Sequence, residues 1–171
     1  MKINDDHMYH GAALTQIAEH PKFSTINAFK VARKASRSSF VIKSSVDISS
    51  GVGIFIKYSG KPTGKFQEYG FTFVKEHFKE IDSLAKKFAK VYVVLVCVKD
   101  REICCISNEE FQELIGSRKQ AKGVDEDFYT LLVTAYPRKK LRVYVNVPET
   151  KGKKTGEKLV SRNSFPSVIF E

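Results

Sequence analysis

The most apolar stretch of the chain directly follows an amphipathic helical pattern. From Lys75 onward, apolar residues recur at helical spacing on one face, and most of the lysines fall outside that stripe. The pattern changes at residues 91–98, an almost unbroken β-branched and aliphatic run that is too short to span a membrane. Such a run is typical of a strand buried on both faces. Residues 75–106 therefore predict a helix that leads into the central part of a sheet.

The residues before this segment predict helical structure followed by three strands. Residues 11–35 show helical spacing in two pieces, which Pro21 separates because proline cannot continue a helix interior. Residues 40–46 and 52–58 flank the turn-forming sequence DISSG and predict an antiparallel hairpin. Residues 66–74 alternate between apolar and polar positions, which predicts a third, half-buried strand.

The residues after this segment predict a smaller set of elements. Residues 102–106 form another strand, and Asn108 is the expected N-cap of a short helix that ends in a polar surface loop over 117–127. Residues 128–135 and 141–147 flank YPRKK and predict a hairpin with a basic turn. The tail begins as a flexible loop and ends in apolar residues, so we expect it to dock on the body of the protein.

These elements predict a single α/β domain of the α+β type over residues 1–171. Residues 11–106 supply an α-β-β-β-α-β-β core, in which helices pack on a mixed central sheet, and residues 107–171 add the short helix, the basic hairpin and the docked tail. A chain of 171 residues with 42% hydrophobic content is long enough for one core.

Cysteine usage and the amino terminus bear on the cellular compartment. Cys97, Cys104 and Cys105 are odd in number and lie in or beside apolar segments, which favours buried reduced thiols. The first twenty residues have acidic residues and histidines where a signal peptide would have its apolar core. We therefore expect a soluble, cytoplasmic protein with no membrane segment.

The net charge of +10 favours an anionic partner, and residues 116–171 carry twelve basic residues against six acidic ones. DNA or RNA is expected ahead of an acidic membrane surface or an acidic protein. The hairpin and the following loop could form one phosphate-binding edge if they lie side by side. The alternative is a solvated lysine surface. The candidate nucleic-acid-binding residues are Arg138, Lys139, Lys140, Arg142, Lys151, Lys153, Lys154, Lys158 and Arg162.

Common catalytic motifs are missing from the sequence. It contains no Walker A loop, GxGxxG, GxSxG, HExxH or paired CxxC, so nucleotide hydrolysis, serine hydrolysis and common zinc chemistry have no sequence support. His7, His10 and His20 with Asp5 and Asp6 could be metal ligands, but a mobile polar end with one helical histidine is the favoured interpretation.

The predicted order over residues 11–98 is helix, three antiparallel strands, helix and strand, and it resembles the restriction-endonuclease-like superfamily, the PD-(D/E)XK nucleases. The resemblance implies an acidic residue on the second core strand and Glu-x-Lys or Asp-x-Lys on the third. In that family the carboxylates hold a divalent metal and the lysine helps to position or activate the attacking water. Here Glu68 occupies a third-strand position, but Gly70 stands where the lysine is expected. Asp47 beside the hairpin turn and Lys57 on the second predicted strand are the remaining candidates.

Asp47, Lys57 and Glu68 are therefore the candidate catalytic residues, with Asp47 and Glu68 as metal ligands and Glu19 as a further carboxylate. If the centre is active, the protein is a metal-dependent nuclease and Mg²⁺ is the expected ion; no other cofactor is implied. Alternatively, Asp47 stabilises the turn and the other three are surface charges.

The sequence thus predicts a nucleic-acid-binding protein with a degenerate nuclease-like core. The alternative is a non-enzymatic interaction or regulatory protein that binds an acidic protein partner, and a homo-oligomer is left open.

Overall fold

The computed structural model of the chain describes residues 1–150 and 152–171. In chain order the elements are α1 (Asp5–Ala18), β1 (Phe23–Val31), β2 (Lys34–Ser44), β3 (Gly51–Ser59), β4 (Tyr69–Val74), α2 (Lys75–Lys87), β5 (Lys90–Cys97), β6 (Glu102–Ser107), α3 (Asn108–Lys122), β7 (Phe128–Thr134), β8 (Leu141–Asn146), β9 (Lys154–Val160) and a C-terminal 3₁₀ turn (Ser167–Phe170).

The strands form two sheets in an α+β single-domain fold, which confirms the predicted class. The first sheet has the order β1-β2-β3-β5-β6 and is mixed, because β3 and β5 are parallel while the other neighbours are antiparallel. The second sheet has the order β4-β7-β8-β9 and is antiparallel throughout. The predicted third strand, β4, shows the expected alternation, but it pairs with β7 in the second sheet instead of extending the first.

Two hydrophobic cores lie on opposite faces of the first sheet. One core contains side chains from both sheets and from α2 and α3, among them Phe55, Phe71 and Phe111. The other lies under α1 and the C-terminal turn and includes Ile17 and Ile169. Because β5 contributes to both cores, it is buried on both faces, as its apolar sequence predicts.

Helix α2 and the following Phe88 pack closely on β3, because Gly53 leaves room for Leu84 and Gly51 leaves room for Phe88. Ile81 and Leu84 are its fully buried residues. A Cβ atom on Gly53 would lie 3.1 Å from Leu84 Cδ2, so a larger residue there would push the helix from the sheet. The prediction that residues 75–106 contain a helix leading into a central strand is confirmed by α2 and β5.

The second helical piece predicted within 11–35 is wrong. Residues 23–31 form β1, which is antiparallel to β2, and α1 begins earlier than expected, at Asp5. The Asn4 side chain accepts the His7 backbone N–H at 3.0 Å and caps α1. Residue spacing alone did not distinguish a helix from a strand at residues 23–31. The strand is stabilised by backbone pairing with β2, whereas a short helix there would have only its own hydrogen bonds.

The carboxy-terminal third differs from expectation in two elements. Helix α3 continues to Lys122 through part of the predicted loop, and its N-cap is Ser107, not Asn108. Ser107 and Glu110 form a capping box at the start of α3. Near its other end, Arg118 forms an ion pair of 2.8 Å with Glu126, which lies beyond the helix. The predicted flexible loop contains β9, an edge strand whose sparse apolar residues gave no strong strand signal.

Three other predictions are confirmed. The hairpin of β7 and β8 forms, and the tail docks with Phe165 and Ile169 buried. All three cysteines are buried thiols, and burial raises their pKa values, which keeps them protonated.

Within residues 1–150 and 152–171, no helix has the length and apolar character needed to cross a membrane.

Replacing Leu84 with alanine tests the packing of α2. Leu84→Ala should lower the free energy of unfolding by about 2–5 kcal/mol, because it leaves a cavity in a fully buried site. Urea denaturation followed by circular dichroism measures this change. Lys86→Ala on an exposed position of the same helix is the control and should change stability by less than about 0.5 kcal/mol. Equal effects would contradict the packing described.

Candidate functional site

A cleft opens in the first sheet where β2 and β3 separate. The last register pair between them is Ser39 with Phe55, so residues 56–59 of β3 pair only with β5. The cleft has a volume of about 360 Å³. Its lining comes from α1, β2, β3 and α2 and consists of Asp6, His10, Ser38, Phe55, Ile56, Lys57, Tyr58 and His77.

A hydrogen-bonded serine cluster keeps β2 away from β3 at this point. The Ser36 hydroxyl oxygen accepts the backbone N–H groups of Ser38 and Ser39 at 3.1 and 3.0 Å. The Glu80 carboxylate on α2 accepts the hydroxyl protons of Ser36 and Ser39, the latter at 3.1 Å. The Ser36 hydroxyl therefore satisfies two backbone N–H groups of β2 at the point where its pairing with β3 ends.

Lys57 places a half-buried amine in this cleft. Its Nζ lies 5.7 Å from the centroid of the Phe73 ring. Burial lowers the pKa of the amine, and the charge of Asp6 partly opposes that effect. Among the ion pairs of the described residues, none involves Lys57, so its charge lacks a direct carboxylate partner there.

His77 lies in the first turn of α2 and faces Lys57. Its Nδ1 accepts the Val74 backbone N–H at 3.1 Å, so the neutral ring carries its proton on Nε2. Burial lowers the pKa of His77, and the positive charge of Lys57 lowers it further. His77 is therefore a neutral donor beside a cationic amine.

His10 closes the cleft from the side of α1 and is only 5% exposed. Its Nδ1 lies 2.9 Å from the Arg37 carbonyl oxygen, which can only accept, so Nδ1 carries the proton and Nε2 is an acceptor. Burial lowers the pKa of His10; the bond to Arg37 and the charge of Asp6 oppose this, and Lys57 reinforces it. The cleft thus combines one amine with two imidazoles that are held neutral.

The structure does not bring Asp47, Lys57 and Glu68 together. Asp47 lies in the turn between β2 and β3, and Lys57 lies about 20 Å along the strand from the residue where β3 begins. Asp47 accepts hydrogen bonds from Ser50 and Ser49, which hold the pKa of its carboxyl at about 2. Asp47 therefore has the turn-stabilising role, and the predicted joint site is corrected accordingly.

Glu68 lies beside the second sheet but outside its strands. It forms a bridge with Thr63 just before β4, and its carboxylate accepts the hydroxyl proton of Tyr144 on β8. Glu19 lies at the C-cap of α1, outside the lining of the cleft. Within the part of the chain that the structure describes, no group of three or more His, Cys, Asp or Glu side chains is placed to hold a metal ion.

The amino-terminal histidines are also separated. His7 caps the start of α1 through the Asn4 backbone N–H, and His20 stacks on Phe170 with 4.2 Å between ring centroids. Of these residues, only His10 and Asp6 line the cleft. The mobile polar end expected from the sequence is instead the ordered first turn of a helix.

The nine candidate nucleic-acid-binding residues divide by their ion pairs. Four of them contact carboxylates in the pairs Arg142–Glu157, Lys154–Glu157, Lys158–Glu113 and Arg162–Glu102. Another four, Arg138, Lys139, Lys140 and Lys153, are exposed. Lys151 lies outside the described residues. The first three exposed residues lie in the β7–β8 turn, whereas Lys153 lies in the β8–β9 loop beyond the opposite end of β8.

Sequence reasoning named Lys57, His10 and Asp6 in separate candidate sites, but it did not bring them together and it missed His77 and Ser38. His77 and Ser38 have no motif spacing relative to Lys57, because α2 and β2 approach β3 only after the sheet folds. The available signal was the lysine itself, which directly follows the apolar run Ile54–Phe55–Ile56 in β3.

Comparison with known proteins found no matching family model, curated protein or solved structure.

The two cleft histidines predict that stability falls in mild acid. Their folded pKa values lie below the ordinary 6.5, so the unfolded chain binds protons that the folded chain does not. This contribution is fully present above pH 6.5 and is lost as pH falls through the folded values. We expect His10→Gln to destabilise the protein more at pH 7.5 than at pH 5.5, measured by urea denaturation. An equal loss at both pH values would contradict the assignment.

Proposed function

We propose that this chain binds nucleic acid and that the cleft between β2 and β3 receives a backbone phosphate. The observation that carries the proposal is the half-buried Lys57 amine, which has no ion-pair partner among the described residues. Removing a charge from water without a direct partner is unfavourable. An anion that enters the open cleft would supply that partner.

The donors around Lys57 suit a phosphate oxygen. Lys57 offers N–H groups with a full charge, and His77 offers its Nε2–H, so two donors reach the cleft from different elements. The positive end of the α2 dipole lies at His77 and favours an anion there, whereas the Asp6 carboxylate on α1 also lines the cleft and opposes one.

The order of elements supports the same proposal. Helix α1 and the antiparallel strands β1, β2 and β3 follow the order of the restriction-endonuclease-like superfamily, and α2 and β5 come after them once β4, which belongs to the second sheet, is set aside. Residues 23–31 form a strand, so we propose β3 as the third strand of that order, with Lys57 corresponding to the family's lysine. Phe55 stands two residues before it where the family has a carboxylate. We therefore propose a degenerate relative that retains binding.

The exposed basic turn offers additional phosphate contacts. Arg138, Lys139 and Lys140 project from the β7–β8 turn, where Arg162 binds the carbonyl oxygens of Tyr136 and Lys139 at 2.6 and 2.7 Å. These bonds fix the turn while its own charges remain in solvent. Such charges add affinity that does not depend on base sequence.

Replacing Lys57 with methionine should weaken binding without destabilising the fold. Lys57→Met removes the amine, so affinity for a labelled oligonucleotide at low salt should fall about tenfold or more, as measured by fluorescence anisotropy. The free energy of unfolding should stay the same or rise, because a half-buried charge is replaced by an apolar side chain of similar length.

Lys86→Met is the matched control, since Lys86 is exposed near the far end of α2. It should leave the affinity within about twofold. The proposal fails if wild-type protein binds neither single-stranded nor duplex DNA or RNA at low salt, or if Lys57→Met binds as well as wild type.

The basic turn can be tested through the salt dependence of binding. In the double variant Lys139→Gln/Lys140→Gln, the slope of log K against log salt concentration should become shallower by about 1 for each phosphate that the replaced lysines no longer neutralise. Lys158→Gln should change the slope less, because Lys158 is paired with Glu113. Identical slopes in wild type and the double variant would remove the turn from the interface.

A further inference from the structure

A second site lies on the outer face of the second sheet. Here a shallow groove of about 120 Å³ is lined by aromatic and basic side chains, together with Thr134, Glu68 and Gly152. We call it the aromatic groove and define it by Phe66, Tyr136, Tyr144, Arg142 and Lys154. It shares no lining residue with the cleft at Lys57.

Phe66 is presented by a short ordered turn. Thr63 and Glu68 exchange backbone hydrogen bonds of 2.9 and 3.0 Å, and the Gln67 side chain donates to the Gly64 carbonyl oxygen at 2.9 Å. Phe66 lies near the tip of this turn and is 46% exposed. The turn therefore holds a partly exposed phenyl ring at the edge of the groove, where a planar ligand can reach it.

Tyr136 forms the neighbouring wall. Its hydroxyl donates to the Phe66 carbonyl oxygen, and its own carbonyl oxygen accepts from Arg162, so both aromatic residues are held in place. Tyr136 is 37% exposed, whereas Tyr144 beneath them is almost fully buried. The groove therefore offers two partly exposed rings above a buried one.

Basic side chains lie beside these rings, together with the carboxylate of Glu157, which pairs with Arg142 and Lys154, and that of Glu68. Lys154 Nζ lies 4.8 Å from the centroid of the Tyr144 ring, and Lys65 Nζ lies 6.0 Å from that of Phe66. Arg142 reaches the groove from β8, where one guanidinium nitrogen contacts Glu157 at 3.2 Å. Aromatic rings for stacking beside basic groups for the backbone are the combination by which proteins bind single-stranded nucleic acid.

The size of the groove limits what can enter it. Sites for small molecules start at roughly 300 Å³, so this groove has room for one planar group and not for a whole metabolite. The bases of a duplex are stacked on each other and cannot offer such a group. We infer that the aromatic groove binds an unpaired nucleobase by stacking; this inference rests on the proposed nucleic-acid binding.

The experiment compares a short oligothymidine with an abasic oligonucleotide of the same length, both fluorescently labelled, at low salt. Wild-type protein should bind the oligothymidine more tightly. Phe66→Ala should weaken oligothymidine binding by roughly 5- to 150-fold and leave abasic binding unchanged. Phe128→Ala is the matched control, because Phe128 is an exposed phenylalanine at the start of β7 that does not line the groove; it should change neither affinity.

The results separate this inference from the proposed function. If wild-type protein binds both oligonucleotides equally and Lys57→Met weakens both, nucleic-acid binding stands and the stacking site is overturned. If Phe66→Ala weakens both oligonucleotides to the same extent, the stacking site is also overturned. If wild-type protein binds neither oligonucleotide nor duplex, both ideas fail.

Discussion

The burial of β5 on both faces is the constraint on which the rest of the structure depends. Leu95 enters the core shared by the two sheets, whereas Val94 and Val96 enter the core beneath α1. A strand with apolar side chains on both faces needs other elements packed against each face. Exposing either row to water would lower the free energy of unfolding by more than one domain of this size can offset. The second sheet with α2 and α3 supplies one cover, and α1 with the C-terminal turn supplies the other.

The cleft exists because this regular sheet is interrupted at one place. The Ser36 hydroxyl accepts two backbone N–H groups of β2, Glu80 holds the hydroxyls of Ser36 and Ser39, and β2 and β3 separate after the pair of Ser39 with Phe55. Lys57 then has solvent on one side and apolar surface on the other. The cleft at the end of this strand pairing therefore contains a half-buried charge, which is the kind of local cost to stability that functional sites carry.

The second sheet serves the fold on one face and is open to solvent on the other. Its inner face contributes Phe71 and Val143 to the shared core. Its outer face carries the aromatic groove, where the β8–β9 loop approaches the turn that holds Phe66: a Cβ on Gly152 would lie 3.4 Å from that ring. Tyr136 before the basic turn and Gly152 of the β8–β9 loop thus each approach Phe66, and the two basic segments do not form the continuous lysine edge expected from charge alone.

The sequence by itself determined the elements whose pattern is local: α2, β5, the two hairpins and the docked tail follow from periodicity, turn residues and apolar content. The resemblance in element order also led to Lys57 as a candidate, because Gly70 stands where the family has its lysine. Only the tertiary structure decided that residues 23–31 form a strand and that β4 joins the second sheet, since pairing partners lie far away in the chain. The same holds for the site: Lys57 meets His10 and His77 through three elements packed together, whereas Asp47 and Glu68 are held elsewhere by their own hydrogen bonds.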